Sequence, residues 1–347
     1  MENKIDVKVI TQKDLMDAGC FNFKKAIEVC ENALIEYKKG NIIFPNKVSV
    51  VFNEKSQSRI NCLPAAILSQ NVYGMKWVSV FPENPMKYNV QNVSAVIILS
   101  ELEKGFPKAF MEGTLCSNMR TASMGAIAAK YLARKNSETI GFIGSGEQAK
   151  SHFLAMKTIL PNIKVCKVSS KSLASEEEFV RQMKKFYPDV EYVICGTNYK
   201  EAANADIIVT AISGQEKILQ ADWVKEGTFY CHVAGLEDDF GVAQKADKIV
   251  CDDWEVVKHR EQTISQMYKK GLLKDEDIYA NIDEIVMKNK AARENEREFI
   301  YFNSVGLSYL DVALSNWMYN KTIEKGLGQT INLQDKSMFD CKMNNEL

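Results

Sequence analysis

An apolar run that leads into a glycine-rich turn constrains the fold of this chain more than any other feature. Residues 139–149 read Thr-Ile-Gly-Phe-Ile-Gly-Ser-Gly-Glu-Gln-Ala. The pattern predicts a strand over 139–143 and a helix over 147–159, joined by a Gly-x-Gly-x-x-Ala turn. In that context Gly144 permits a tight turn, Gly146 lets the backbone approach a pyrophosphate, and Ala149 allows close packing of helix on strand. The turn favours dinucleotide binding over a purely structural role.

Strand and helix patterns alternate after this turn. Strands are expected at 163–168, 192–195, 207–211, 229–233 and 248–251, and helices at 175–186 and 199–204. This alternation predicts a Rossmann-type doubly wound parallel sheet with right-handed crossovers. An Ala-rich helix from Arg120 to Lys135 precedes it, with Thr121 or Ser117 as N-cap.

The residues before the Ala-rich helix show a different spacing of apolar side chains. A helix is expected over 21–37, and β-branched and aromatic runs begin at Val48, Gly74 and Val93. Their spacing is typical of an antiparallel sheet in an α+β domain. The last third is charged and helical over 253–297, and a final apolar helix over 309–325 is expected to dock on the first domain.

These patterns place the chain in the α/β class with two domains. Residues 1–119 together with 308–347 are expected to form the α+β domain. Residues 120–307 are expected to form the Rossmann-type dinucleotide-binding domain.

Composition argues against several classes of function. Lys and Arg number 44 against 45 Asp and Glu, so no large basic surface for nucleic acid is expected. The longest apolar stretch, Val93 to Leu99, is far shorter than the roughly 20 residues that cross a bilayer, and the N-terminus lacks an apolar signal core. A cytoplasmic protein is therefore expected. The 9 cysteines occur singly and the 3 histidines are isolated, which disfavours disulfides and metal sites.

The end of the second strand of the alternation bears on the type of dinucleotide. NAD-binding proteins usually carry an acidic residue there, which holds the ribose 2′-hydroxyl. This chain instead has Ser169, Ser170 and Lys171, and its next acid is Glu176. Hydroxyls and a cation suit a 2′-phosphate, so NADP(H) is favoured and NAD(H) is the alternative. A solvated loop lysine is the alternative for Lys171.

Two cations in the first part of the chain are candidates for binding a carboxylate. Lys76 lies among Met75, Trp77 and Val78 in an expected strand, and Arg120 begins the segment that leads into the nucleotide domain. Arginine binds a carboxylate in bidentate fashion and lysine acts as a point charge. If Lys76 and Arg120 face a cleft between the domains, they would suit the carboxylate of a substrate. The alternative is that both are ordinary surface charges.

Several motifs together resemble the ornithine cyclodeaminase/μ-crystallin family over about residues 20 to 333. The motifs are Gly74-Met-Lys76, the run from Arg120 to Ala133, Gly144-Ser-Gly-Glu-Gln-Ala149, Ala205-Asp-Ile-Ile-Val-Thr-Ala211 and Ser304-Val-Gly306-Leu-Ser-Tyr-Leu-Asp311. The resemblance implies a two-domain subunit whose first domain binds substrate and forms a homodimer. It also implies a nicotinamide cofactor and a small amino-acid or imine substrate.

The resemblance assigns roles to individual residues. Lys76 and Arg120 match the carboxylate-binding Lys and Arg of the family, and Lys47 stands where a further Arg is often found. Thr121 would lie near the cofactor phosphates, and Ser304 and Gly306 match the segment that closes over the nicotinamide. The full set of expected cofactor-binding residues is Thr121, Gly144, Ser145, Gly146, Glu147, Gln148, Ser169, Ser170, Lys171, Ala211, Ser304 and Gly306.

Two departures from the family pattern argue against cyclodeamination. The stretch Gly-Gly-Asp-x-Pro-Gly-Lys, whose Asp handles the substrate amino group, is replaced by Ala-Gly-Leu-Glu-Asp-Asp at 234–239. Glu237 and Asp238 are the candidate substitutes for that Asp. The Glu before the family's Met-Pro is replaced by Asn61. The segments at 74–84 and 95–107 look closer to a branch that includes N-(2-amino-2-carboxyethyl)glutamate dehydrogenase.

The sequence therefore predicts an NAD(P)-dependent oxidoreductase that transfers hydride between nicotinamide and the α-carbon of an amino acid, secondary amine or imine. Lys76 and either Glu237 or Asp238 are the expected catalytic residues. An ornithine cyclodeaminase and a non-catalytic NADP(H)-holding protein are the alternatives. Nothing in the sequence encodes the side chain of the substrate or the physiological direction.

Overall fold

The computed structural model describes residues 4–53, 55–214 and 216–336. The strands of these residues are β1 Ile5–Ile10, β2 Ile42–Ile43, β3 Val48–Asn53, β4 Ser58–Ile67, β5 Val72–Val80, β6 Val93–Glu101, β7 Pro107–Glu112, β8 Thr139–Ile143, β9 Val165–Ser169, β10 Glu191–Ile194, β11 Ile207–Thr210, β12 Phe229–His232, β13 Lys248–Cys251, β14 Ala280–Asn281, β15 Ile300–Asn303 and β16 Gln329–Gln334. The α-helices are α1 Gln12–Asp17, α2 Phe23–Lys38, α3 Asn84–Tyr88, α4 Thr114–Leu132, α5 Glu147–Ile159, α6 Leu173–Met183, α7 Tyr199–Ala203, α8 Phe240–Lys245, α9 Trp254–Val257, α10 Thr263–Lys269, α11 Ile282–Val286 and α12 Ser308–Glu324.

The chain divides into two compact units. The first takes in the described residues up to Asn22, those from Lys39 to Ser117 and those from Ser308 onward. The second takes in Phe23–Lys38 and Asn118–Leu307. No α-helix in the described part of the chain has the length and apolar character that a membrane crossing requires.

The first unit is built on one mixed sheet. Its strand order is β16-β1-β7-β6-β5-β4-β2, and β3 pairs with β4 beside β2. All of the pairs are antiparallel except that of β1 with β7, which is parallel. The runs that begin at Val48, Gly74 and Val93 form β3, β5 and β6, and their pairs are antiparallel as expected. The parallel pair involves β1, for which the sequence analysis gives no expectation.

Strand β5 shows how this sheet positions its side chains. Alternate residues Val72, Gly74, Lys76 and Val78 are buried, whereas Tyr73 and Trp77 between them are exposed. Successive side chains of a strand point to opposite faces of the sheet, and α12 packs against β4 and β5 on the buried side. The sheet therefore has one covered face that contains a lysine and one open apolar face.

The second unit contains an all-parallel sheet of order β10-β9-β8-β11-β12-β15-β13-β14. The chain runs outward from β8 through β9 to β10 and then returns to β11 on the other side of β8. This reversal confirms the Rossmann-type doubly wound fold predicted from the alternation. Strands β11, β12, β13 and β15 are buried at every residue, as expected for a sheet with helices on both faces.

Helix α2 belongs to the second unit, although the sequence analysis places residues 1–119 together in the first domain. Its polar contacts explain the difference. Glu31 accepts hydrogen bonds from Lys130 Nζ at 2.8 Å and Tyr131 Oη at 2.7 Å. At the end of the helix, Tyr37 Oη donates to Asp253 at 3.4 Å and Lys38 Nζ lies 3.5 Å from Asp283.

The start of the Ala-rich helix also differs from the prediction. Helix α4 begins at Thr114 and not near residue 120, so neither Ser117 nor Thr121 is its N-cap. The Glu112 carboxylate, two residues before the helix, accepts from the amides of Thr114 at 2.5 Å and Leu115 at 3.1 Å. A glutamate that caps from the preceding strand leaves no Ser/Thr signal in the sequence.

The charged segment 253–297 forms three short α-helices, α9, α10 and α11, and the two-residue strand β14 instead of a long helix. Its charged side chains make local bonds instead of forming one long amphipathic face. Lys258 Nζ, for example, bonds to Glu255 on the preceding turn at 2.7 Å.

Candidate active site

The carboxyl ends of the parallel strands gather most of the residues expected to bind a cofactor. Gly144 follows β8, Ser169 ends β9, Ala211 follows β11 and Ser304 follows β15. Because the strands are parallel, these ends lie at one edge of the sheet. Ligands of doubly wound folds bind at that edge, where the strand order reverses.

The turn after β8 requires glycine at residue 144. Its φ is +108°, and a Cβ there would lie 2.4 Å from the carbonyl oxygen of Ala211. The Gly144 amide donates to the carbonyl of Ser169 at 2.8 Å. The turn is thus fixed against the ends of both neighbouring strands, β9 and β11.

Helix α5 begins immediately after Gly146, which is its N-cap and provides no side chain to bond the first amides. A Cβ built at Gly146 would meet no atom within 4 Å among the described residues. The glycine is therefore not required by packing, and it leaves room for a group to approach the backbone. Uncapped amides and the positive end of the helix dipole suit a phosphate anion. The cradle fits the pyrophosphate of a dinucleotide.

The other side chains of this turn have different surroundings. Ser145 is buried and its Oγ donates to Ser175 Oγ at 2.7 Å. Gln148 Nε2 donates to Asn118 Oδ1 at 2.8 Å. The Glu147 side chain is 71% exposed and pairs with Lys150. Ser145 and Gln148 support the turn, whereas Glu147 faces solvent.

The hydroxyl groups of Ser169 and Ser170, at the end of β9, both form hydrogen bonds within the protein. Ser169 is buried and its Oγ donates to the carbonyl of Gly196 at 2.5 Å. Glu176, also buried, accepts from the Ser170 amide at 2.8 Å and the Gly196 amide at 2.9 Å. Glu176, which the sequence marks only as the next acid along the chain, is the carboxylate that shapes this loop.

Lys171 remains the exposed cation of this loop. It is 67% exposed, and its Nζ lies 2.7 Å from Glu216, which is 61% exposed. The pKa of Lys171 is raised, first by this hydrogen bond. An ion pair between two exposed side chains contributes little to stability, so a stronger anion can replace Glu216 as the partner.

The segment after β15 is held by a buried carboxylate. Asp252 Oδ2 accepts from the amides of Val305 and Gly306, both at 2.8 Å, and from Ser304 Oγ at 3.3 Å. Burial raises the pKa of Asp252 to about 6, against the opposing effect of these bonds. Asp252 follows β13 directly and belongs to no motif, so the sequence gives no signal for its role.

Arg120 lies against this segment within the second unit. It is 8% exposed. A Cβ at Gly306 would lie 2.6 Å from Arg120 Nη1, and Gly306 has φ +87°. Thr121 follows Arg120 on α4 and is half-buried.

His152 is a second neighbour of Arg120. Its Nδ1 bonds to the carbonyl of Gln148 at 2.8 Å, and the ring packs against Gly125. Burial, together with the positive charge of Arg120, lowers the pKa of His152 to about 4, against the opposing effect of the bond to Gln148. A neutral imidazole beside Arg120 adds no competing cation to the site at neutral pH.

Glu237 is fully buried and its carboxylate is taken up by the protein. Oε2 accepts from Thr210 Oγ1 at 2.8 Å and the Ala234 amide at 3.0 Å, and Oε1 accepts from the Ile212 amide at 2.7 Å. These bonds join the loops that follow β11 and β12. The geometry makes Glu237 a support for those loops.

Asp238 lies in the same buried cluster. Its Oδ1 accepts from Thr263 Oγ1 at 2.6 Å and lies 3.4 Å from His232 Nε2. Burial raises the pKa of Asp238 to about 6, and His232 opposes the rise. The His232 ring stacks on Tyr301 with centroids 6.1 Å apart. Neither Glu237 nor Asp238 has exposed surface.

The candidate residues of the first unit centre on Lys76, which is 2% exposed. Its Nζ donates to Asp311 Oδ1 at 2.8 Å and to Ser117 Oγ at 3.3 Å. Lys47 is half-buried between β2 and β3. Asn61, which stands in place of the family's Glu, accepts from Ser49 Oγ at 2.7 Å.

A sequence model of the family described as ornithine cyclodeaminase/mu-crystallin matches residues 7–326. The chain belongs to this family. The prediction of family membership from the motifs is therefore confirmed.

Three proteins illustrate which members of the ornithine cyclodeaminase/mu-crystallin family are similar to this chain. The structure of Thermococcus litoralis Δ1-pyrroline-2-carboxylate reductase in complex with NADH and L-proline superposes with a TM-score of 0.89, at 30% identity over 94% of this chain and 100% of that one. An archaeal alanine dehydrogenase dimer with bound NAD gives a TM-score of 0.86, at 32% identity over 95% of this chain and 100% of that one. The N-((2S)-2-amino-2-carboxyethyl)-L-glutamate dehydrogenase of Staphylococcus aureus is 27% identical over 93% of this chain and 98% of its own length. These relatives include the branch that the sequence analysis singles out.

Proposed function

We propose that this protein is an NAD(P)-dependent oxidoreductase that acts on the α-carbon of an amino acid, secondary amine or imine. One observation carries the proposal: the turn at Gly144 and Gly146 leads to an uncapped helix N-terminus at the switch point of a doubly wound sheet. Relatives that span nearly the whole chain reduce or dehydrogenate small amino or imino acids by name. The family and the site therefore support the same chemistry.

The residues present fit a nicotinamide dinucleotide. Gly144, Gly146 and the first amides of α5 would hold the pyrophosphate, and the 304–306 segment would lie at the nicotinamide end. When bound, this cofactor accepts or supplies a hydride. The protein contributes binding, orientation and charge.

The preference for NADP(H) over NAD(H) rests on Lys171. Of the three residues at the end of β9, the two serines bond within the protein, whereas Lys171 is exposed and paired only weakly with Glu216. A 2′-phosphate would replace Glu216 at that ammonium. NAD(H) remains the alternative cofactor, since the relatives described above bind NADH or NAD.

Cationic side chains of the protein are proposed to bind the carboxylate of the substrate. Arg120 is the main candidate because its guanidinium can bind both carboxylate oxygens. Lys76 and Lys47 are the further cations proposed from the sequence. Lys76 is also the candidate for proton transfer at the nitrogen. Glu237 and Asp238 then act indirectly, by fixing the loops after β11 and β12.

A homodimer is the proposed assembly. The open face of the first-unit sheet presents Tyr73 at 40%, Trp77 at 41% and Phe110 at 43% exposure, and β3 adds Val48 at 64% and Phe52 at 57%. An apolar face of this kind is typical of an interface between proteins. The alanine dehydrogenase relative is described as a dimer.

A two-direction assay tests the function. The purified protein is incubated with NADH or NADPH and Δ1-pyrroline-2-carboxylate, or pyruvate with ammonia, and separately with NAD⁺ or NADP⁺ and L-proline, L-alanine or L-ornithine. Net change of reduced-cofactor absorbance with an imine or amino acid is the expected result. Ammonia and proline from ornithine without net reduced cofactor would identify a cyclodeaminase, and cofactor binding without any turnover would favour a binding protein.

A further inference from the structure

The buried face of the first-unit sheet contains a charge where apolar residues are expected. Lys76 lies in the middle of β5, between its cross-strand partners Leu63 on β4 and Ile97 on β6. Both partners are buried. An ammonium group in such surroundings loses hydration, and it stays charged only when an anion compensates it.

Asp311 supplies that anion from the other end of the chain. Its Oδ1 lies 2.8 Å from Lys76 Nζ, and the two side chains are 1% and 2% exposed. The Ser117 hydroxyl accepts a second hydrogen bond from the same ammonium at 3.3 Å. Two directed bonds fix the orientation of Nζ.

The backbone around Asp311 is held in place independently of the ion pair. A Cβ at Gly74 would lie 2.8 Å from Leu99 Cδ2 and 3.2 Å from Val312 Cγ2, so glycine at 74 is what lets α12 approach β5 closely. Cys116 Sγ contacts the Asp311 carbonyl at 3.5 Å. Asp311 also lies in the first turn of α12, where the helix dipole favours a negative charge.

We propose that Asp311 is a positioning residue for Lys76: it keeps the lysine charged and fixes its ammonium on the covered face of the sheet. This inference rests on the proposed function, in which Lys76 acts on the substrate carboxylate and on the nitrogen proton. Asp311 acts through Lys76 and not on the substrate. It gives the last residue of the motif Ser304-Val-Gly306-Leu-Ser-Tyr-Leu-Asp311 a role that the sequence analysis does not assign.

A thiol and a phenol lie on the elements that carry or flank this pair. On β4 and β6 the cross-strand partners are apolar, as stated above. On α4 the Cys116 thiol lies 3.1 Å from Ser315 Oγ, and on α12 the Tyr309 ring packs edge-on against Phe44 with centroids 5.1 Å apart. Asp311 supplies a carboxylate in direct contact with the Lys76 ammonium, at 2.8 Å.

The experiment that tests this proposal measures the protonation of Lys76 by NMR and the activity of the enzyme as a function of pH. Uniformly labelled lysine side chains are titrated by NMR in the wild type and in D311N, and K76R assigns the Lys76 signal. Lys76 is expected to lose its proton about 1–3 pH units lower in D311N, the usual effect of removing a close opposite charge. The alkaline limb of kcat/KM is expected to move by the same amount. Equal titration of Lys76 in the two proteins would overturn the inference.

Two further variants distinguish an effect on the position of the Lys76 ammonium from a general loss of folded structure. D311E keeps the charge, so its alkaline limb stays near that of the wild type while kcat falls; this variant carries the test if D311N does not fold. A displaced limb in D311E would contradict the inference. S315A, a buried change on the same helix face, is expected to leave the pH profile unaltered, and a displaced limb there would also contradict it. If the wild type turns over nothing, the proposed function fails, and the NMR titration still decides the role of Asp311.

Discussion

The Arg120 guanidinium occupies the space that a side chain on Gly306 would need. A Cβ at that position would approach Nη1 to 2.6 Å and Nη2 to 3.1 Å, and the backbone φ is +87°. Glycine at 306 therefore satisfies two separate requirements, one of conformation and one of space.

Substitution G306A is expected to displace Arg120 as well as to strain the turn. The strain alone amounts to about 1–3 kcal/mol of unfolding free energy. Displacement of the guanidinium should lower kcat/KM by about tenfold or more, which corresponds to about 1.4 kcal/mol of transition-state free energy. Gly271 provides the matched control, because its φ is +69° and a Cβ there meets no described atom within 4 Å. G271A should lose stability but keep kcat/KM; equal kcat/KM losses would refute the role given to Arg120.

Replacement of Glu237 by Gln should affect stability more than chemistry. The carboxylate accepts hydrogen bonds through both oxygens, and the amide of Gln would direct a donor toward a backbone N–H. A loss of about 1–3 kcal/mol in unfolding free energy is expected from the bond left unmade. Chemical denaturation measures it, and E147Q, at the exposed Glu147, is the control. An unchanged unfolding midpoint together with an abolished kcat would return Glu237 to a direct catalytic role.

His152 should make the protein less stable in mild acid. Burial lowers its pKa from 6.5 to about 4, so the unfolded chain binds a proton between these values and the folded chain does not. The stabilisation is present above pH 6.5 and is lost as the pH falls toward 4, and it amounts to about 3 kcal/mol. Urea unfolding at pH 7, 5.5 and 4.5 measures it.

The comparison with H152Q isolates this effect. Asp238 and Asp252 have raised pKa values of about 6 and therefore act in the opposite sense over the same range. They are present in both proteins, so the difference between wild type and H152Q should shrink as the pH falls. A difference that stays constant with pH would show that His152 does not remain neutral in the folded protein.

Lys171 should control the choice of dinucleotide. K171A removes the exposed cation, so the KM for NADPH should rise about tenfold while that for NADH stays within about twofold, as expected for one lost charge-assisted hydrogen bond. E216Q, which removes only the present partner, should leave or lower the KM for NADPH. If K171A raises both KM values equally, the lysine does not discriminate between the cofactors.

A charge on the open sheet face should dissociate the proposed dimer. W77E places a carboxylate at a side chain that is 41% exposed on β5, and sedimentation should then report a monomer. M86E is the control, since Met86 is 93% exposed on α3 and lies outside the sheet. A dimer that survives W77E would place the interface elsewhere.

Local features of the sequence predict the structure well where they act within a few residues. Helix α5 starts and ends at the predicted residues 147 and 159, because the Gly146 turn and the apolar spacing determine both ends locally. The start of α4 was missed because its cap is a glutamate in the preceding strand. The ion pair of Lys76 with Asp311 joins residues 235 positions apart, and no local pattern encodes such a contact.

The assignment of single side chains shows the same limit. Ser169 and Glu237 lie where the motifs put them, at the carboxyl edge of the sheet, yet their polar atoms bond to Gly196 and to the loops after β11 and β12. Spacing indicates which residues reach the edge. Only the hydrogen-bonding partners show which of them are available to a ligand.

The pairing of β1 with β16 has a consequence for biosynthesis. Val7 lies opposite Ile331, so the edge of the first-unit sheet joins the beginning of the chain to a strand made more than 300 residues later. The second unit, by contrast, has all of its strands by Asn303. On the ribosome, the second unit has its complete sheet sequence first, and the sheet that carries Lys76 waits for α12 and β16 to emerge.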